Sequence, residues 1–368
     1  MELLSLKLIH FKNYRNAEFS FNPYLNLITG NNGMGKTNIL DAIYYLAFGK
    51  SYYSIPDKKL IRFDDFEDRN SFHRVEGKVT GTEKYHFTYS GARKKTVFRN
   101  NEPYEKISDH IGNIPVVSIF PEDIALVKGD SSLRRKFVDN TISQSDRMYL
   151  NHLMYYNKII KRKNELLKQF SMNYRDKDIL LDKYDRELKD PGEYIIIARK
   201  QFLDEFNLFF QKYYRLISGK MNEKVTIKHV RTVLPNEFST IIFQTRQEDI
   251  RKKRSTMGPH REDFRIYINE KYAKYFASQG QQKSILFALK LAQFEYIKRI
   301  LQKKPILLLD DFFEKLDENR IVNLMQLLKD SFFGQIFVTD TDPKRMEGIA
   351  QKLGFDFTTF TIEEGQLI

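Results

Sequence analysis

The chain of 368 residues has no cysteine. That excludes disulfides, thiolate zinc sites, a cysteine nucleophile and any Cys-x-x-Cys zinc hook. It also lacks a run of about 18 apolar residues that could span a membrane. Its start, MELLSLKLIHFKNY, puts Lys7 and His10 inside its apolar stretch, unlike the core of a secretory leader. The expectation is a soluble, cytoplasmic protein. Acidic side chains are in deficit, 48 against 61 Lys and Arg, a formal net charge of +13. Such an excess suits nucleic acid, nucleotides or an anionic membrane face, although a lysine-rich proteome would also produce it. With 41% hydrophobic residues the chain can build a real core, so general disorder is excluded. There is no internal repeat and no low-complexity tail.

The first fifty residues have the periodicities of strand, strand, strand, loop and helix. Leu4, Leu6 and Leu8 alternate with polar residues, as do Ala17, Phe19 and Phe21 after the turn Asn13-Tyr14-Arg15, which together predict a hairpin. Leu25-Asn26-Leu27-Ile28 runs into a glycine cluster, and from Lys36 onward Ile39, Leu40, Ile43, Leu46 and Ala47 follow helical spacing up to Gly49. Alternating segments continue to about residue 118. From Leu133 to about Met221 the composition predicts several helices, with breaks near Ser171–Asn173 and at Asp190-Pro191-Gly192. Strand signals return at Val225–Ile227, Ile241–Phe243 and Phe264–Ile268. Ile285, Leu289, Ala292 and Tyr296 form a helical stripe. Ile306–Leu309 predicts a buried strand, Glu318 to Leu328 a helix and Gln335–Val338 a strand. The helical stretch is too short for long coiled-coil arms. The expected fold class is α/β, with a core lobe of residues 1–118 and 301–368 and a mainly helical lobe of residues 119–300 carrying at most a short arm.

Gly30-Asn31-Asn32-Gly33-Met34-Gly35-Lys36-Thr37 fits G-x-x-x-x-G-K-[ST] between an apolar strand and an amphipathic helix. Glycines there let backbone N–H groups close around phosphates, and the helix N-terminus adds partial positive charge. Lys36 is expected on the β- and γ-phosphates and the Thr37 hydroxyl on Mg²⁺. A P-loop needs an acid for magnesium at the end of a neighbouring strand, and Asp310 follows the apolar run Ile306–Leu309. Asp311, one residue on, is placed to orient or deprotonate the attacking water. By itself a strand ending in Asp-Asp is more often a turn or cap. Ser278-Gln279-Gly280-Gln281-Gln282 precedes the stripe helix and reads as a second anion site or simply as an N-cap.

P-loop, Ser-x-Gly-Gln-Gln and apolar-Asp-Asp, in that order, describe an ABC-type P-loop ATPase head. With FKNYRN, FPEDIALVKGDSSLRRKFVD, MGPHRED, LLLDDFFEKLD and QIFVTDTD, the chain closely resembles the RecF family of bacterial recombination mediators over nearly its whole length. The resemblance implies an ATPase that binds ATP and Mg²⁺ and dimerises when ATP is bound. It implies DNA at single-strand gaps and junctions as the target, with RecR and RecO as partners and RecA loading as the outcome. Gap repair, replication recovery and SOS induction follow from that. On this resemblance Lys36 and Thr37 are phosphate and magnesium contacts, and Asp310 is the Walker B acid that shares the metal. Asp311 is the catalytic carboxylate. Ser278, Gly280 and Gln281 cap a partner's γ-phosphate, and Leu316-Asp317 forms the D-loop.

Where many ABC ATPases have Glu, Asp311 is one methylene shorter, and Val338-Thr339-Asp340-Thr341 has no switch histidine. Weak, DNA-stimulated hydrolysis is the expectation. Glu122 or Asp123 is expected to stand in for the Q-loop glutamine. Arg251-Lys252-Lys253-Arg254 is the leading candidate for DNA phosphates, with Arg93–Lys95, Arg134–Lys136 and Lys161–Lys163 behind it. Each taken alone is more often a solvated charged face. His260 and Arg261 in MGPHRED have no role derivable from sequence. The alternative function is the nucleotide-binding subunit of an ABC transporter, which normally carries an LSGG-like segment where this chain has ASQGQQ.

Overall fold

The computed structural model describes residues 1–65, 71–90, 95–169, 175–220, 222–231, 233–311, 318–330 and 333–368. The chain forms two compact units, Met1–Asp123 with Gln293–Ile368, and Ile124–Ala292. The crossings fall at 123/124 and 292/293, where the sequence led us to expect 118/119 and 300/301. The second crossing lies inside one continuous helix, Gln279–Leu301, where composition gives no mark.

The first unit holds two six-stranded sheets. In one, the strands Leu3–Phe11 and Tyr14–Ser20 form the expected hairpin, with Leu6 opposite Phe19 and Leu8 opposite Ala17. Phe72–Val79, Lys84–Ser90, Lys95–Arg99 and Glu102–Pro103 extend it antiparallel. In the other, Val116–Ile119, Ile306–Leu309, Ile336–Asp340, Leu25–Thr29 and Phe357–Glu363 lie parallel in that order, and Gln366–Leu367 closes the edge antiparallel. Leu25–Thr29 is buried along its whole length because it has parallel neighbours on both sides. The helix Lys36–Phe48 packs Ile39, Ile43 and Leu46 into a core shared with Leu6, Leu8 and Val75 of one sheet and Leu308, Phe337 and Phe360 of the other. The buried amide of Gln335 ties the two sheets, accepting from Leu3 N at 2.8 Å and donating to Leu3 O at 2.9 Å.

The second unit is mainly helical, with a three-stranded antiparallel sheet of Val225–Val230, Asp263–Ile268 and Lys271–Tyr272. Arg147–Lys168 is capped by Asp146, whose carboxylate accepts from Tyr149 N at 2.9 Å. The expected break at Pro191 does not occur: one helix runs Arg175–Ser218 with Pro191 inside it. Gly192, the next residue, lies against the Phe238 ring, and this packing outweighs the local penalty. The break expected near Ser171–Asn173 lies outside the described residues. Ile241–Phe243, expected as strand, is part of the helix Phe238–Gln244, where Phe238 and Ile242 are buried at helical spacing. A short apolar triplet such as Ile-Ile-Phe does not distinguish the two states.

Candidate nucleotide-binding site

The strand Leu25–Thr29 delivers the chain to Gly30, and the helix from Lys36 carries it away. Gly30 and Gly35 sit at φ of +141° and +112°, where an L side chain is strained. A Cβ at Gly30 would overlap the carbonyl oxygen of Ile362, and one at Gly35 the side-chain amide of Asn13. Asn31, Asn32 and Gly33 are exposed at the loop tip. No side chain caps the helix, so its first turn is open to an anion. Lys36 is only 4% exposed, and its Nζ donates to Gly30 O at 2.7 Å and Asn31 O at 3.0 Å. Those contacts hold the ammonium against the loop where phosphates would sit.

Across 273 residues of sequence, Thr37 Oγ1 donates to Asp310 Oδ1 at 3.0 Å. Thr339 Oγ1 donates to the same oxygen at 2.8 Å and accepts from Asp311 N at 2.8 Å. Burial, then Asp311 and Glu122, push the Asp310 carboxyl up to about 6, against the two hydroxyl donors. Asp311 stands at φ +41° on the strand's end, partly exposed, a backbone position that aspartate tolerates better than most residues. A hydroxyl and a carboxylate are the hard oxygen donors that Mg²⁺ takes, leaving the rest of its sphere to water and phosphate. Buried Asp310 also pairs with no cation among the described residues, its partners being the Thr37 and Thr339 hydroxyls, so the residues fit a magnesium ion. Among the described residues no cluster of three His, Cys, Asp or Glu could hold a metal by itself.

The hairpin turn turns out to belong to the site. Asn13 Nδ2 donates to Met34 O at 3.0 Å, and its Oδ1 accepts from Asn38 Nδ2 at 2.8 Å. Tyr14 OH donates to Gly35 O at 3.0 Å. Lys12 pairs with fully buried Asp41 of the same helix at 2.6 Å and donates to Asn38 Oδ1 at 3.1 Å. From the C-terminal hairpin, Gly365 N donates to Met34 O at 3.1 Å. Lys12, Asn13, Tyr14, Asn38 and Thr339 escaped the sequence reading, since strand period and turn composition carry no trace of a docking partner. The block FKNYRN was the available signal.

Ser278 is exposed and caps its helix reciprocally: its Oγ accepts from Gln281 N at 3.2 Å, and Gln281 Oε1 accepts from Ser278 N at 2.8 Å. Gln281 Nε2 also donates to Glu223 at 3.0 Å. A Cβ at Gly280 would meet nothing within 4 Å, so the protein's own packing does not require glycine there. Asp123 is buried and accepts from Phe120 N at 2.9 Å, whereas Glu122 is exposed. Of the two Q-loop candidates, Glu122 is the one free of a structural cap. Leu316-Asp317 lies outside the described residues.

The basic clusters fare unequally. Arg251, Lys252, Lys253 and Arg254 are all exposed, with Lys252 paired to Glu248 at 2.5 Å. Three residues of the other clusters turn inward instead. Lys163 is buried between Asp185 at 2.8 Å and Asp249 at 3.0 Å. Arg134 is buried against Asp263 at 2.8 Å, and Lys95 pairs with Asp57 at 2.7 Å. Arg93 and Lys94 lie outside the described residues. MGPHRED proves to be architecture. Glu262, wholly buried, accepts from Arg199 at 2.7 Å, and Arg199 also reaches Asp139 at 2.7 Å and Pro259 O at 2.8 Å. His260 Nδ1 meets Tyr156 OH at 2.7 Å, and Arg261 donates to Ser255 O.

Residues 2–362 match the family described as RecF/RecN/SMC N terminal domain. A DNA replication and repair protein RecF from Flavobacterium johnsoniae is 38% identical, the alignment covering 98% of this chain and 100% of that one. A solved structure of the recombination mediator protein RecF with ATP, from the RecFOR pathway, superposes with a TM-score of 0.87 at 28% identity, covering 100% of this chain and 97% of the other. An Smc head domain bound to the C-terminal domain of ScpA from Pyrococcus furiosus superposes at 0.55 with 15% identity, covering 100% and 96%, a likeness of fold.

Proposed function

Because this chain belongs to the RecF family and has the fold of an ABC-type ATPase head, we propose that it is an ATP-controlled DNA clamp acting in gap repair. The observation that carries the reading is the hydrogen bond from Thr37 to Asp310, which joins the P-loop to the acid-ended strand in one site. ATP would lie along residues 30–37, with Lys36 on its β- and γ-phosphates. Thr37 and Asp310 would hold Mg²⁺, which neutralises charge building on the transferred phosphoryl group. Asp311 positions the attacking water.

Hydrolysis is slow and rises on DNA. A well-placed base contributes about 10²–10⁴-fold, and here the carboxylate is short and Val338-Thr339-Asp340-Thr341 offers no switch histidine. Exposed Ser278 and the open surface at Gly280 serve a second copy's γ-phosphate, so two chains close over two nucleotides. The clamp holds DNA at gaps and junctions through phosphates, with Arg251–Arg254 contributing, and hands the site to RecR, RecO and RecA. An ABC-transporter subunit is not favoured, since the relatives matched over full length are DNA replication and repair proteins.

Sedimentation with and without ATP, followed by addition of gapped duplex, tests the reading. ATP is expected to produce a dimer retained on the DNA. Ser278→Arg is expected to bind ATP normally but neither dimerise nor hydrolyse it, and mixing with Lys36→Ala chains is expected to restore part of the activity through one intact composite site. Full ATPase activity of Ser278→Arg as a monomer would overturn the sandwich.

A further inference from the structure

The three-stranded sheet of the second unit buries one face and presents the other to solvent. Phe264, Ile266 and Ile268 point inward from the central strand, while Arg265 is exposed and Tyr267 half-buried on the outer face. On the neighbouring strand Lys228 is exposed directly opposite Arg265 in the pairing register. Two cations facing each other across a pair of strands repel, so an isolated sheet gains nothing from this choice. The nearby carboxylate of Asp263 pairs with Arg265 but not with Lys228. It accepts from Arg265 at 3.3 Å but is already engaged by Arg134 at 2.8 Å, and the other acid, Glu270, sits in the hairpin turn. Lys228, Lys271 and Lys274 make no ion pair among the described residues.

Between these cations lie aromatic rings, Tyr267 and Tyr272 half-buried and Tyr275 and Phe276 exposed. Lys228 Nζ stands 4.9 Å above the Tyr267 ring, and Tyr267 lies 5.7 Å from Tyr272. Tyr272 in turn meets Tyr275 edge-on at 5.4 Å and has the Arg265 guanidinium 5.7 Å from its centroid. The short helix Ala273–Phe276 then leaves Tyr275 71% and Phe276 63% exposed, with Lys274 and Lys271 each 5.8 Å from one of those rings. Large aromatic surface left in water beside uncompensated cations is unusual for a self-sufficient fold. A partner that offers flat π faces and a phosphate at each repeat answers both features together.

We propose that this face is a docking surface for single-stranded nucleic acid, with bases stacking on Tyr275 and Phe276 and the backbone running past Lys228, Lys271 and Lys274. Aromatic platforms with cations along them bind single strands with little regard to sequence, because every base has a π face. A duplex hides its bases and would engage the cations alone. The surface does not include Arg251–Arg254, and it ends two residues before Ser278, so an occupied platform would abut the segment proposed to meet a second copy's ATP. The inference rests on the nucleic-acid part of the proposed function and locates it.

The test uses the full chain, a fluorescent dT20 oligonucleotide and a 20-base-pair duplex, read by anisotropy over a salt series. Tyr275→Ala with Phe276→Ala is expected to weaken dT20 binding by about 30-fold or more, since two stacked bases are lost. Duplex binding should change less than threefold, and Tyr275→Phe should retain dT20 affinity. Replacing Lys228, Lys271 and Lys274 by Ala is expected to reduce the log–log salt slope for dT20 by about 2. Photo-crosslinking from 4-thio-dT should map to residues 271–276. Unchanged dT20 affinity in the aromatic double variant overturns the proposal. So does loss of ATP-driven dimerisation in that variant with dT20 binding intact, which would assign the face to a second copy. If the parent binds gapped duplex but not dT20, this inference fails and the clamp reading stands; if it binds neither, the clamp reading fails.

Discussion

Asn13 shows how much of the glycine loop at residues 30–37 depends on one side chain outside it. Its amide donates to Met34 O and its carbonyl accepts from Asn38, so it spans the loop and the helix that follows. Asn13→Ala leaves two polar partners to find water, a cost of about 1–2 kcal/mol on loop order. ATP affinity is expected to fall about 5- to 30-fold by titration calorimetry, with the urea midpoint nearly unchanged. Asn13→Asp keeps the acceptor for Asn38 but loses the donor to Met34, and is expected to lie between. A different residue, Lys163, separates two roles that look alike on paper. Its buried ammonium neutralises Asp185 and Asp249, and removing one partner of a buried ion pair costs about 3–5 kcal/mol. Lys163→Met is therefore expected to lower the urea midpoint sharply. A variant that weakened DNA binding at unchanged stability would return Lys163 to the surface.

At the scale of elements, the helix Arg175–Ser218 carries Pro191-Gly192 in its interior because tertiary packing accepts what local preference disfavours. Gly192 has room for no Cβ: the ring of wholly buried Phe238 occupies that space. On an exposed helix Gly→Ala would gain about 1 kcal/mol. Here overpacking costs about 1–3 kcal/mol, so Gly192→Ala is expected to destabilise despite the better helix former. Chemical denaturation checks the sign, and a stabilised variant would place Phe238 elsewhere. The same logic explains Ile241–Phe243, whose composition favours strand but whose buried partners make it helix. Conversely the parallel strands around Leu25–Thr29 needed no rescue, because continuous apolar runs suit a strand buried on both sides.

For the molecule as a whole, several histidines are buried in neutral form. Burial lowers His73, His110 and His260 to about 4, from an ordinary value near 6.5. Their folded values lie below the unfolded ones, so the unfolded chain binds more protons between pH 6.5 and 4. The stability they contribute is present above about 6.5 and is lost as pH falls toward 4. Each can add a slope of up to about 1.4 kcal/mol per pH unit in that window. The urea midpoint is expected to drop steeply from pH 7 to pH 5, with proton uptake on unfolding. A midpoint flat across that range would mean these rings are protonated in the fold.

The P-loop, its acid-ended strand and the helix-capping Ser278 were legible without coordinates, because each is a local pattern whose chemistry demands fixed spacing. Glycines before a lysine, an apolar run before Asp310 and a serine before a helical stripe are each contained within a few consecutive residues. The family resemblance was legible for the same reason. What sequence spacing did not contain was distance between segments far apart in the chain. Only the fold brings Thr37 to Asp310, seats Asn13 under Met34 and turns Lys163, Arg134 and Lys95 from basic clusters into ion pairs. A charged side chain's role depends on whether a carboxylate waits beside it in a desolvated interior, and period and composition do not encode that neighbour. The outer sheet face is decided in the same way: Lys228 and Arg265 are unremarkable apart, and antiparallel register alone sets them opposite one another beside the Tyr267 and Tyr272 rings.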